Sequence, residues 1–115
     1  MSDWPPTFDL NLGNNHGITW VIAGEHDDSR IGCVIYHKMG PKGNITDFNG
    51  WCCGGVHWAP SEFEREHPER MSESERQRAR WNIEGQPDEH LTISPSVLCS
   101  CGDHGFIKDG KWIVA

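Results

Sequence analysis

Between Phe106 and Ile113 the chain has little choice but to reverse on itself. Phe106-Ile107-Lys108 and Lys111-Trp112-Ile113 are strand-forming triplets on either side of Asp109-Gly110, a pair that a two-residue type I′ turn favours because both central residues take positive φ. The approach to this hairpin carries His90, Cys99, Cys101 and His104. A hairpin with metal-capable residues at its mouth therefore anchors the C-terminal part of the chain.

The segments upstream read in the same way. Gly17–Ala23 and Ile31–His37 are β-branched and aromatic, separated by the polar turn Gly24–Arg30, and predict an antiparallel pair. Apolar residues occupy both faces of Ile31–Tyr36, as in a strand covered on both sides. Residues 1–16, with Trp4-Pro5-Pro6, read as an extended arm closed by a turn at Asn14, Asn15 and Gly17. Met39–Asn44 reads as a turn and Ile45–Phe48 as a short strand. Gly50–Trp58 holds too many glycines for a regular strand and predicts a tight turn. Ser61 with Glu64 and Ser72 with Glu75 have capping-box spacing. With Pro68 between them, they predict a short turn at about 61–66 and a helix at about 72–81. Leu91, Ile93, Val97 and Leu98 are strand-like, and Ser94-Pro95-Ser96 interrupts them as a bulge, an edge or a loop, because proline cannot donate to a ladder. The expected fold is mainly β, a small antiparallel sheet or sandwich with knuckle-like turns. It forms a single domain over residues 1–115, with one charged helical insertion at 61–81; an α+β arrangement is the alternative.

Composition narrows the function. A net charge of −7 argues against sequence-independent nucleic-acid binding, which needs a basic face. No window approaches the roughly 20 apolar residues of a membrane span, and no basic-then-apolar leader opens the chain. A soluble, non-secreted protein is expected. Five cysteines fit a closed disulfide framework poorly, and clustered Cys and His in a reducing compartment more often mean metal.

Two clusters supply that chemistry, Cys52-Cys53-Gly54 and Cys99-Ser100-Cys101-Gly102-Asp103-His104. In each, glycine follows the last cysteine, which suits a knuckle that turns backbone N–H groups towards a bound thiolate. Cys101 and His104 have C-x-x-H spacing, and two such turns brought together predict a tetrahedral Cys/His site holding structural zinc. The first ligands chosen are Cys101, His104 and one of Cys52 or Cys53. The fourth is the other member of that pair, then Cys99, which shares a face with Cys101 in extended chain, then His57; Cys33 with His37 is a further option. Asp103 reads as a turn residue and His90 as a surface residue. No HExxH, deaminase or Gly-x-Ser-x-Gly pattern is present. The tryptophans read mostly as core.

The block Leu91-Thr92-Ile93-Ser94-Pro95-Ser96, together with Cys101–Ile107 and Asp109-Gly110-Lys111-Trp112, resembles a family of small uncharacterised proteins of actinobacterial phages. It is also distantly similar to a bacterial zinc-binding domain of unknown function that has an upstream cysteine- and glycine-rich turn, an SPS element and a final C-x-x-H before a hairpin. The upstream cluster is thinner here, and the charged segment 61–80 is inserted. The resemblance covers about residues 50–114 and implies a phage-encoded zinc-binding β domain. The expected role is a protein-interaction or accessory module in the cytoplasm of the infected host, with a protein partner and neither nucleic acid nor membrane. A virion-associated structural protein is the alternative, and a zinc-dependent hydrolase a further one.

Overall fold

The structure is a computed structural model, and it describes residues 7–38, 50–73, 81–99 and 101–115. The Trp4-Pro5-Pro6 segment, the Met39–Asn44 turn, the Ile45–Phe48 strand and most of the helix expected at 72–81 lie outside the described residues.

Two four-stranded antiparallel sheets make up the fold, each with its strands in sequence order. The first contains β1 (Leu10–Gly13), β2 (His16–Gly24), β3 (Asp27–Lys38) and β4 (Trp51–His57). The second contains β5 (Asn82–Glu84), β6 (Thr92–Leu98), β7 (His104–Lys108) and β8 (Lys111–Val114). Between the sheets in sequence lie the short helix α1 (Glu62–Glu66) and a 3-10 turn, Pro68–Arg70. The mainly β expectation is met.

Turn chemistry explains the meanders. Asn14 and Asn15 take φ of 51° and 61°, and Asp109 and Gly110 take 51° and 72°, so both hairpins close on residues that tolerate the left-handed region. The end of the segment expected as an arm, Leu10–Gly13, is drawn into the first sheet by the Asn14-Asn15 turn and pairs with β2. α1 begins with the expected capping box, in which Ser61 Oγ accepts from Glu64 N–H at 3.1 Å and Glu64 Oε1 accepts from Ser61 N–H at 3.4 Å.

The tight turn expected at Gly50–Trp58 is replaced by strand β4. Its ladder with β3 is regular from Gly32↔His57 to Lys38↔Trp51. Glycine weakens a strand by lacking a packing side chain, but β4 lies at the end of the described sheet order, where fewer neighbours need one.

The inner face of the first sheet is built in cross-strand rows: Trp20–Cys33–Val56, Ile18–Ile35–Gly54 and His16–His37–Cys52. The second sheet contributes Ile93, Ile107 and Trp112, also cross-strand neighbours, together with Leu91. Ile18, Cys33, Ile35, Val56, Leu91, Ile93, Ile107 and Trp112 belong to one buried cluster, so the sheets share a core. Burying such an aliphatic side chain stabilises the fold by roughly 1.5–3 kcal/mol. β3 is buried on both faces over most of Ile31–His37, as its apolar run predicts. Gly105 is required where it stands: a Cβ there would lie 2.6 Å from the Trp112 ring, which crosses its backbone.

Candidate functional site

The row His16–His37–Cys52 lies where β2 and β4 begin and β3 ends, and the β6–β7 connection docks on it. That connection is a knuckle. Cys99 N–H donates to the Asp103 carbonyl at 2.8 Å, Gly102 N–H donates to the Cys99 carbonyl at 2.9 Å, and Gly102 takes a φ of 96°. Glycine after Cys101 permits that backbone, as the sequence predicts.

Docking brings one donor atom from each of His37, Cys52, Cys99 and Cys101 within 4.8 Å of one another. The Cys52 and Cys99 sulfurs are 3.4 Å apart. A tetrahedral zinc with sulfur at about 2.3 Å has sulfur–sulfur edges of about 3.8 Å, so the spacing of the group is compatible with a metal such as zinc. The histidine is prepared for that role. His37 Nδ1 lies 2.7 Å from the Lys38 carbonyl, and donating there leaves Nε2 with a free lone pair, as a metal-bound imidazole requires. Burial, and then the neighbouring Cys99 thiol, push the Cys52 thiol up to about 12; a bound cation reverses this by taking the thiolate. Cys33, buried in the core away from this group, is pushed up to about 12 by burial alone and is a structural thiol.

Of the residues singled out by sequence, Cys52, Cys99 and Cys101 come together with His37, which the sequence offers as a further option, whereas its companion Cys33 does not join them. Cys53 and His104 lie outside the group. β4 is extended, so adjacent residues alternate: Cys52 faces the core and Cys53 is exposed. The same alternation separates Asp103 from His104. The Asp103 carboxylate points inward, with Oδ2 at 2.7 Å from His16 Nε2 and 3.4 Å from His37 Nδ1. His16 Nδ1 meets the Asn14 carbonyl at 2.6 Å, and its ring stacks on Trp112 with centroids 4.0 Å apart. Asp103, expected as a turn residue, thus ties the knuckle to two histidines of the opposite sheet. Asp103 with His16 and His37 forms a second group of metal-capable atoms, sharing His37 with the first.

His104 points outward, and its Nε2 lies 2.9 Å from Ser96 Oγ. Ser96 owes its position to the interruption at Pro95. The ladder between β6 and β7 pairs Ile93 with Ile107 and Val97 with Gly105, so two extra residues of β6 bulge out between these pairs. Bulges re-aim side chains in this way. Ser94-Pro95 is cis. Leu98, Phe106 and Ile113 surround this face with relative exposures of 68%, 42% and 45%. Serine and histidine are thus paired on this face. The sequence signal for this pair was the proline itself, since a proline inside a strand pattern forces a bulge, but which side chain the bulge presents depends on the partner strand. His90, read as a surface residue, is exposed and holds Asp109 Oδ1 at 2.7 Å through Nδ1.

No helix among the described residues is long and apolar enough to cross a membrane. Residues 34–115 match the family model described as BubE, bacterial ubiquitination-like system serine protease. No curated protein and no solved structure matches the chain.

Proposed function

The chain belongs to the BubE family, and on that premise we propose that it is a serine hydrolase of a bacterial ubiquitination-like system, with Ser96 as nucleophile and His104 as general base. The observation that carries this reading is the 2.9 Å contact between Ser96 Oγ and His104 Nε2 on an exposed face. Nucleophile and base within hydrogen-bond reach is the arrangement that activates a hydroxyl.

That contact dictates the chemistry. With its proton on Nδ1, His104 accepts the Ser96 hydroxyl proton at Nε2 as Oγ attacks the carbonyl carbon of an acyl bond. The imidazolium returns the proton to the leaving amine or alkoxide, leaving an acyl-serine. Water, deprotonated by the same Nε2, then attacks the acyl carbon, and the proton goes back to Ser96 Oγ as the acid departs. Exposed Leu98, Phe106 and Ile113 offer apolar surface for the acyl side of a protein substrate. A dyad open to solvent suits a bond on the surface of another protein, such as the acyl link between a small modifier and its target.

The metal in this reading would be zinc, and His37, Cys52, Cys99 and Cys101 would hold it. Four protein donors leave no position for substrate, so its role is to join the two sheets.

Labelling with a fluorophosphonate tests the proposal. Ser96 Oγ attacks phosphorus, fluoride leaves and His104 takes the proton, so mass spectrometry is expected to find the adduct on Ser96. His104→Gln is expected to slow labelling by about 10²–10⁴-fold. Absence of an adduct on Ser96 from a folded, metal-loaded protein overturns the assignment. The knuckle then supports a second reading, a zinc-stabilised module that acts through protein contacts, in the host cell or on a virion.

A further inference from the structure

We propose that the metal group positions the dyad, so that metal bound between the sheets sets the distance and direction from Ser96 to His104. This inference rests on the serine hydrolase reading and adds to it that Cys99, Cys101 and Asp103 are positioning residues.

The chain between nucleophile and base is residues 97–103. Within it, Cys99 and Cys101 belong to the metal-capable group, and Asp103 is held by His16 and lies against His37. These three side chains all point inward, to the first sheet. Both dyad residues point outward.

The ladder by itself fixes Ser96 weakly. It falls in the bulge, where no register pair forms between Ile93↔Ile107 and Val97↔Gly105. His104 sits in the last pair of that ladder, opposite Leu98, directly beside the connection. Beyond the bulge the ladder resumes with Val97↔Gly105 and Leu98↔His104, and the connection that closes it bears on how Ser96 and His104 face each other. The hydrogen bonds Cys99 N–H to Asp103 C=O and Gly102 N–H to Cys99 C=O close the connection on itself. The side chains of Cys99 and Cys101 reach the first sheet, where His37 and Cys52 stand opposite each other in the regular ladder of β3 and β4. A cation shared by the four donors would lock the short ladder beyond the bulge of one sheet onto the regular ladder of the other.

Alternation transmits the constraint. Asp103 immediately precedes His104, the first residue of β7, and their side chains face opposite ways, so holding the Asp103 carboxylate at His16 helps keep the His104 ring outward at Ser96. Outer-shell residues of this kind hold geometry without touching substrate.

The test compares the metal-loaded protein, the same protein after chelator treatment, and that protein reloaded with Co²⁺. Three readouts are needed: the rate constant for fluorophosphonate labelling of Ser96, the nitrogen-detected histidine spectrum reporting His104 Nε2, and circular dichroism. Chelation is expected to lower the labelling rate by about 10–100-fold, the range that loss of outer-shell support commands. The His104 signal should lose its hydrogen-bonded character while β dichroism persists, and Co²⁺ should restore both. A metal-free protein that stays folded and labels at the loaded rate overturns the proposal.

If metal removal unfolds the chain, Asp103→Ala decides in the loaded protein. Its Co²⁺ spectrum should remain tetrahedral while labelling slows by about 10-fold and its pH profile moves. Asp103→Asn, which keeps an oxygen for His16, should recover most of the rate. An unchanged rate in Asp103→Ala overturns the proposal. A loaded protein whose Ser96 never labels removes the hydrolase reading, whereas the response of the His104 signal to metal still judges the positioning.

Discussion

The metal-capable group and the Ser–His pair are separated by a single turn of chain, yet they live in opposite environments. His37 and Cys101 are buried and their group spans two sheets, whereas His104 is exposed and both members of its pair sit on the outer side of one sheet. Each environment suits its chemistry. Thiolate and imidazole donors hold a cation most firmly where water cannot compete and where neighbouring strands fix their spacing. A nucleophile meant for a bond in another macromolecule has to be reachable. The two-residue period of an extended chain performs the separation, sending Cys52 in and Cys53 out, Asp103 in and His104 out. Two histidines that the sequence ranks differently, His104 first and His37 as a further option, therefore exchange places in the metal-capable group.

The sharpest way to break this comparison is to exchange the effects. Ser96→Ala is expected to remove the fluorophosphonate adduct while leaving metal content and melting temperature unchanged; a lost metal would mean that the two regions are one site. Cys101→Ser should do the opposite first, losing stoichiometric metal and about 3 kcal/mol or more of stability, a fall of roughly 10 °C or more in melting temperature. Cys53→Ser, on the outer face, should alter neither, and metal loss in that variant would contradict the alternation described.

Smaller effects sharpen the packing side. Gly105→Ala places a Cβ 2.6 Å from both the Trp112 ring and the Ile113 carbonyl. Overpacking of this kind costs about 1–3 kcal/mol, measurable by urea unfolding. Gly54, on the inner face beside a cavity of about 110 Å³ lined by Ile35, Trp81, Val97 and Trp112, has nothing within 4 Å of a Cβ. Gly54→Ala should change stability by no more than about 0.5 kcal/mol. An equal cost at both glycines would show that strand propensity, and not the Trp112 crossing, governs them.

The smallest effect belongs to His90. The Asp109 carboxylate, hydrogen-bonded to the ring, holds His90 above its ordinary value of 6.5. Because the folded value is raised, the stability this contact contributes is fully present below the unfolded value and is lost as pH rises through the folded one. Asp109→Asn keeps a residue suited to the positive φ of the turn while removing the charge. It should flatten the change in melting temperature between about pH 5 and about pH 8, and leave metal binding and labelling untouched. A large change in either would place this hairpin tip within the functional site.

Much of the fold was legible because it is local. Asn14-Asn15 and Asp109-Gly110 announce their turns by tolerating positive φ, Ser61 and Glu64 cap each other within one turn of helix, and runs of β-branched and aromatic residues mark β2, β3 and β7. The glycines of β4 misled, since a strand's tolerance for them depends on its place in the sheet. The cysteine clusters announced metal chemistry and supplied three of the four grouped donors.

Sequence by itself therefore determined the mainly β architecture, the two hairpin turns, and that the two cysteine clusters carry metal chemistry, with the choice between Cys52 and Cys53 left open and His104 ranked ahead of Cys99. Only the tertiary structure decided that His37 completes the group of Cys52, Cys99 and Cys101, that Asp103 reaches His16, and that His104 turns to Ser96. The physical reason is register. Spacing along the chain says which residues share a face, but which face meets which partner is set by the ladder between β3 and β4 and by the bulge at Pro95, and both form only when distant strands pair.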